Sequence, residues 1–201
     1  MVSSILVSRR YRVVSFMFEN MAKISFLFIL LCTNYSCFAY TTKINTAQVY
    51  VENNTYYLDA SYDFELSEEA YKALRHGISF EIHAHFQLRL KRTWLWDETI
   101  SEKTLLYKLE HKPLTENFLT IDLLTGLRHS YDNLEAALNH IRTISKMTLF
   151  DQSLLIENQA YIARIRAYLD IESLPPPMRP QAYFSPDWNL SSEWYEWELA
   201  R

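Results

Sequence analysis

The chain has 201 residues, 49% hydrophobic and 22% charged, which suits one packed core and argues against both two domains and wholesale disorder. Its two glycines, Gly77 and Gly126, leave no glycine-rich loop for a nucleotide phosphate and no glycine-flanked nucleophile turn. The formal net charge is −4, and setting aside residues 1–39, with four basic side chains and one acidic, leaves 16 against 23 and a charge of −7, which excludes phosphate-backbone binding and hence nucleic acid.

In residues 1–39, Lys23 precedes the apolar run ISFLFILLC, 9 residues from Ile24 to Cys32. Polar TNYS follows, then CFA with Ala39 at a cleavage position. A cationic start, a short apolar centre and a small residue at the cut describe a secretory signal peptide. The apolar run is short of the about 20 residues a spanning helix needs; the competing reading is an uncleaved inner-membrane anchor over residues 24–40. Met21 offers an alternative start. The expected organisation is an export signal over 1–39 and one β-rich domain over 40–201. Cleavage removes Cys32 and Cys37, so the mature chain has neither disulfide nor thiolate zinc ligand and suits an oxidising periplasm.

The domain opens with two strands, Ala47–Glu52 and Thr55–Leu66, turned at Asn53-Asn54, a residue type that tolerates positive φ. Ser67 is placed to cap a short helix that starts with Glu68 and Glu69 and ends at Arg75, His76 and Gly77. From Ile78 to Trp94 the sequence alternates. Ile78, Phe80, Ile82, Ala84, Phe86, Leu88 and Leu90 point one way; Glu81, His83, His85, Gln87, Arg89 and Lys91 point the other. After a loop at WDETISE, KTLLYKLEHK alternates again until Pro113. NFLTIDLLTG is a strand turning at Thr125-Gly126, with a short stretch after it at Leu127–Ser130. A second helix spans about Asp132–Ile144, with Asp132 and Glu135 as a capping pair. TLFDQSLLI reads as a short strand, and AYIARIRAYLD as a long one with Arg164 and Arg166 on its polar side.

Period-two alternation with one polar row belongs to antiparallel sheets with one face in water. The expected fold is mainly β (α+β): an antiparallel sheet or β-sandwich with two short helices and an extended Pro/Trp-rich C-terminal tail. In that tail Pro175, Pro176, Pro177 and Pro180 crowd together, which predicts extended chain and no helix. Trp188, Trp194 and Trp197 follow within ten residues, so the tail is expected to wrap back and cap the core.

The segments LSEEAYKALRHGISFEI, LRLKRTWLWDE, LLYKLEHKPLTENFL and LPPPMRPQAYFSPDWNLSSEWYEW resemble a proteobacterial family, domain of unknown function 4390, sometimes labelled proline-rich signal-peptide proteins. The specific part is the ending: Leu174, Pro175, Arg179, Pro180, Trp188, Leu190, Ser192 and Trp194. The resemblance runs from about Thr46 to Trp197. It implies an exported, envelope-located domain of a Gram-negative bacterium with no assigned activity, with a membrane sensor kinase as a candidate partner.

Two constellations carry candidate chemistry. Glu81, His83 and His85, with His111 on the next strand, could ligate zinc or iron, since side chains two apart on a strand lie about 7 Å apart on one face. Arg89, Arg164 and Arg166 would form a basic patch if their strands pair, able to hold an acidic partner, a lipid head group or a glycan acid. Trp188 and Trp194 add rings suited to stacking. The bland readings are a solvated face, cross-strand ion pairs and tryptophan packing. No cofactor is called for. The leading expectation is a non-enzymatic binding or scaffolding module of the periplasm, accessory to an envelope signalling system. The alternative is a metal-dependent enzyme on the Glu81, His83 and His85 face.

Overall fold

The computed structural model describes residues 42–92, 94 and 96–199. The predicted signal segment and the start at Met21 lie outside the described residues. So does the anchor reading; among the described residues no helix is long and apolar enough to cross a membrane.

Among the described residues, nine strands form two antiparallel sheets. The smaller has the order β1-β2-β7, with β1 at Lys43–Glu52, β2 at Thr55–Asp63 and β7 at Thr143–Asp151. Asn53 and Asn54 turn β1 into β2 with φ of 51° and 63°, as a tight hairpin of this hand requires. The larger sheet has the order β6-β5-β4-β3-β8-β9. Its strands are β3 (Phe80–Leu90), β4 (Glu98–Lys112), β5 (Asn117–Asp122), β6 (Arg128–Tyr131), β8 (Tyr161–Leu169) and β9 (Tyr195–Glu198).

One hydrophobic core joins the inner faces of both sheets. From β2 it takes Tyr56, Leu58, Ala60 and Tyr62; from β3, Phe80, Ile82, Ala84, Phe86 and Leu88; from β8, Tyr161, Ala163, Ile165, Ala167 and Leu169. The first helix, α1 (Glu68–Arg75), seats Ala70 and Leu74 in it, and the Ala70 N–H donates to Ser67 Oγ at 3.0 Å. The second, α2 (Leu134–Ile141), buries Ala137, Leu138 and Ile141.

Local structure departs from the sequence reading in several places. The cap of α2 is Asn133, whose Oδ1 accepts from the Ala136 N–H at 2.8 Å, and not Asp132. The helix stops at Ile141, because Thr143 and Ile144 are β-branched and pair with Ser61 and Ala60 of β2. The strand expected at TLFDQSLLI therefore starts at Thr143 and gives way to a turn of 3₁₀ helix at Gln152–Leu154. The expected loop before KTLLYKLEHK is shorter, since Glu98–Ser101 already pair with β3.

The tail also departs. It is not wholly extended: α3 (Arg179–Phe184) carries Pro180 in its first turn, where a missing N–H costs nothing. The tail does cap the core. Leu174, Trp188 and Leu190 are buried, and Trp188 packs edge-on against Phe80 at 5.8 Å. The chain then runs along β8, with the Leu169 N–H donating to Leu190 O and the Ser192 N–H to Ala167 O, at 2.9 and 2.8 Å. Ser192 Oγ accepts from the Ala167 N–H at 3.0 Å.

Trp188→Ala should cost about 3–5 kcal/mol, the range for deleting a buried aromatic side chain. Urea unfolding of wild type and variant measures it. A loss below about 1 kcal/mol would show that the tail does not hold the core.

Candidate functional site

Strand β3 has neighbours on both sides, so its polar row becomes the middle of a polar sheet face. His83 lies opposite Leu106 of β4 and Tyr168 of β8, His85 opposite Thr104 and Arg166, and Gln87 opposite Glu102 and Arg164. These side chains are half-buried rather than fully wet.

The three candidate arginines share this face but differ in what holds them. Arg89 faces Asp97 at 3.8 Å and donates to its carbonyl at 3.3 Å. Arg164 donates from Nε and Nη2 to Gln87 Oε1 at 2.9 and 2.6 Å, and from Nη1 to Glu196 at 3.3 Å. Arg166 makes no ion pair and no hydrogen bond among the described residues, and its Nε is buried. Aromatic rings support it instead: its guanidinium carbon lies 4.7 Å from the Trp194 ring centre and 4.8 Å from that of Tyr168. Arg164 stacks on Trp194 too, at 4.1 Å, and the His85 ring meets it edge-on at 5.6 Å.

Trp194 is thus a platform for two cations. Trp188, by contrast, is 4% exposed inside the core, where its ring is out of reach of any ligand. Its sequence neighbourhood resembles that of Trp194, and only its seat on Phe80 separates the two.

The imidazoles are sorted in the same way. His83 Nε2 lies 3.9 Å from Glu81 Oε2 and 4.0 Å from Asp170 Oδ2. Glu81, His83 and Asp170 each offer a ligand atom, all within 4.8 Å of one another. Neither His85 nor His111 belongs to that group. His85 faces Glu102 at 3.6 Å. His111 sits two residues after Leu109 on β4, so it shares the core side of the sheet, opposite to His83. It is capped there by Arg75, whose Nη1 donates to His111 Nε2 at 2.9 Å. That pairing corrects the idea of His111 as a ligand beside His83.

Asp170 is the residue that sequence reasoning missed. It follows β8, far along the chain from His83, and the pairing of β8 with β3 brings it alongside: its N–H donates to Glu81 O at 2.8 Å. Tyr168 was missed likewise; its hydroxyl meets His83 Nδ1 at 3.2 Å. Burial pushes the His83 imidazole below the usual range, partly opposed by Asp170 and Glu81. Burial also lowers His85, opposed by Glu102 and reinforced by Arg166 and Arg164.

A separate histidine pair lies where α2 meets β5 and β6. The His129 and His140 rings are 4.8 Å apart, with Tyr107 and Tyr131 each 5.8 Å from His140. Burial lowers His140, the His129 charge lowers it further, and Asp122 opposes both.

The family described as Domain of unknown function (DUF4390) matches residues 39–198. No curated protein and no solved structure matches the chain.

A histidine depressed in the folded state binds its proton more readily when unfolded, so the unfolded chain gains protons first as pH falls below about 6.5. His140 therefore favours the folded state above that pH and progressively less below it. His140→Gln should flatten the loss of stability between about pH 7.5 and pH 5.5, read as urea midpoints. An unchanged slope would show that His140 titrates alike in both states.

Proposed function

We propose, for a chain that belongs to the domain of unknown function 4390 family, a non-enzymatic binding module of the cell envelope whose polar sheet face takes an acidic partner. The observation that carries this reading is Arg166. Its guanidinium is stacked between Trp194 and Tyr168, half-buried and without a counter-charge among the described residues. A cation withdrawn from water without a partner costs free energy, and cation–π contacts offset only about 0.5–2 kcal/mol of that. A carboxylate arriving from outside would complete the site through the guanidinium's parallel donors. Arg164 stands next to it on the same ring and already holds Glu196, so the pair can share one acidic group or exchange Glu196 for it.

On a chain of net charge −7 after residues 1–39, such a patch selects by orientation: the rest of the surface repels an acidic partner that docks anywhere else. A guanidinium laid on two aromatic rings offers donors and a flat surface, a set that suits binding. Placement in the periplasm rests on the signal-like residues 1–39, and the family resemblance adds a membrane sensor kinase as a candidate partner.

Poly-L-glutamate serves as a defined acidic probe. It should quench tryptophan fluorescence of the wild-type protein through Trp194, reversibly with salt. Arg166→Gln, and Arg164→Gln with Arg166→Gln, should abolish the effect with the circular dichroism unchanged. Equal quenching by wild type and both variants would reject the site. Amino-terminal sequencing of the protein from cells tests the export, and an intact Met21 on the mature product would refute cleavage.

A second reading, contact with a bilayer surface, is favoured by Trp94 and Trp96 between β3 and β4. They are 94% and 88% exposed, beside Lys91 and Arg92. Tryptophan prefers the membrane interface, and the basic residues suit anionic head groups. Trp94→Ser with Trp96→Ser should abolish co-sedimentation with phosphatidylglycerol vesicles while leaving the response to poly-L-glutamate intact. Absence of wild-type co-sedimentation rejects this reading.

A further inference from the structure

We propose that Glu81, His83 and Asp170 form a zinc site. Three electron-pair donors from two paired strands converge on one point beside the Arg166 stack, at a place distinct from it.

The geometry of each donor supports this. His83 Nε2 is buried, without a hydrogen-bond partner, and faces both carboxylates at 3.9 and 4.0 Å. An Nε2–H shared with a carboxylate would draw in to about 2.7–2.9 Å. The Glu81 side chain is one-third exposed. Around a tetrahedral ion, ligands each about 2.1 Å from the metal lie about 3.4 Å apart, so the groups at 3.9 and 4.0 Å need draw in by only about half an ångström. All three ligand atoms lie within 4.8 Å of one another.

The orientation of each ligand is fixed from behind. Asp170 Oδ1 accepts from the Glu172 N–H at 3.1 Å, which leaves Oδ2 for the centre. The backbone bond from the Asp170 N–H to Glu81 O ties the two carboxylate-bearing strands together at 2.8 Å. His83 Nδ1 meets the Tyr168 hydroxyl at 3.2 Å; with Nδ1–H donating to it, Nε2 carries the lone pair toward the carboxylates. Metal-bound histidines are held in this manner by a group behind the ring, which sets tautomer and direction. Without a cation that lone pair opposes two negative groups in a half-buried position. A divalent ion neutralises the pair of carboxylates and gives the orphaned nitrogen its partner.

One nitrogen and two carboxylate oxygens suit a borderline ion better than a hard one, and three protein ligands leave a fourth tetrahedral position open to water or to a side chain of a partner. The thiol-free mature chain offers no competing sulfur site after residues 1–39.

The test uses the purified protein stripped with chelator and titrated with zinc chloride, read by bound zinc after gel filtration and by thermal unfolding. Wild type should retain one zinc per chain and unfold at higher temperature with it. His83→Gln and Asp170→Asn should lose both effects, and His85→Gln should keep them. Tyr168→Phe removes only the hydroxyl and should weaken zinc by about 10–100-fold, the usual effect of losing the group behind a ligand. Circular dichroism of each stripped variant checks the fold, and Tyr168→Phe keeps the test decisive if a ligand variant fails it. No retained zinc on folded wild type overturns the proposal. So does equal binding by wild type, His83→Gln and Tyr168→Phe, or loss in His85→Gln as large as in His83→Gln. Manganese titrated in parallel and bound more tightly at the same residues overturns the choice of zinc. Poly-L-glutamate quenching, which depends on Arg166, reports separately on the acidic-partner site.

Discussion

The register of β3 between β4 and β8 is the constraint on which the other features depend. Side chains alternate across a strand, so a slip of one residue would drive Glu81, His83, His85 and Arg89 inward and expose Phe80, Ile82, Phe86 and Leu88. Burial of those apolar side chains holds the register from beneath. The same register then dictates the polar face, because it sets His83 against Tyr168, His85 against Arg166 and Gln87 against Arg164. Core and candidate site are two sides of one pairing decision.

That pairing leaves the far edge of β8 open, and an open edge in a sheet invites unwanted strand addition. The tail closes it. Leu190 and Ser192 bond to Leu169 and Ala167, and β9 continues the ladder from Ile162 to Ile165. The motif at the end of the chain has a physical reading in these terms. Arg179 donates from Nε to Leu174 O at 2.8 Å and steadies the turn into α3. Leu174, Trp188 and Leu190 plug the core. Ser192 satisfies the Ala167 N–H, and Trp194 passes to the outer side to carry the arginines. One segment therefore seals the core and supplies a wall of the polar face.

The polar face is organised by desolvation as much as by charge. Exposed ion pairs such as Lys72 with Glu68 contribute little, since water competes for both ions. On the face itself, rings and neighbouring strands remove much of that water. Arg166 rests on aromatic rings, and His83 holds a lone nitrogen between two carboxylates. Groups in that state keep unmet bonding capacity with part of their dehydration already paid.

Much of this architecture was legible in the order of residues. The alternation of β3 and β8, the Asn53-Asn54 hairpin, the Ser67 cap and the positive-φ glycines after α1 and β5 follow from local chemistry, where period, cap and turn are written within a few neighbours. The boundary of α2 was less legible, because Asn133 and Asp132 are both good cap residues by type, and Asn133 is the one that accepts from the Ala136 N–H. The helix in the proline-rich tail was hidden because a proline forbids a helix interior but not its first turn. The candidate site was half legible: Glu81 and His83 share a strand face by spacing alone, and that much the chain declares by itself. Tertiary structure alone decided that Asp170 joins them, that His111 turns to the other side, that Trp188 is buried while Trp194 carries two cations, and that Arg166 lacks, among the described residues, the counter-charge Arg164 has. The physical reason is that these outcomes depend on which strands pair and in what register, and pairing is settled by the burial of residues distant in sequence.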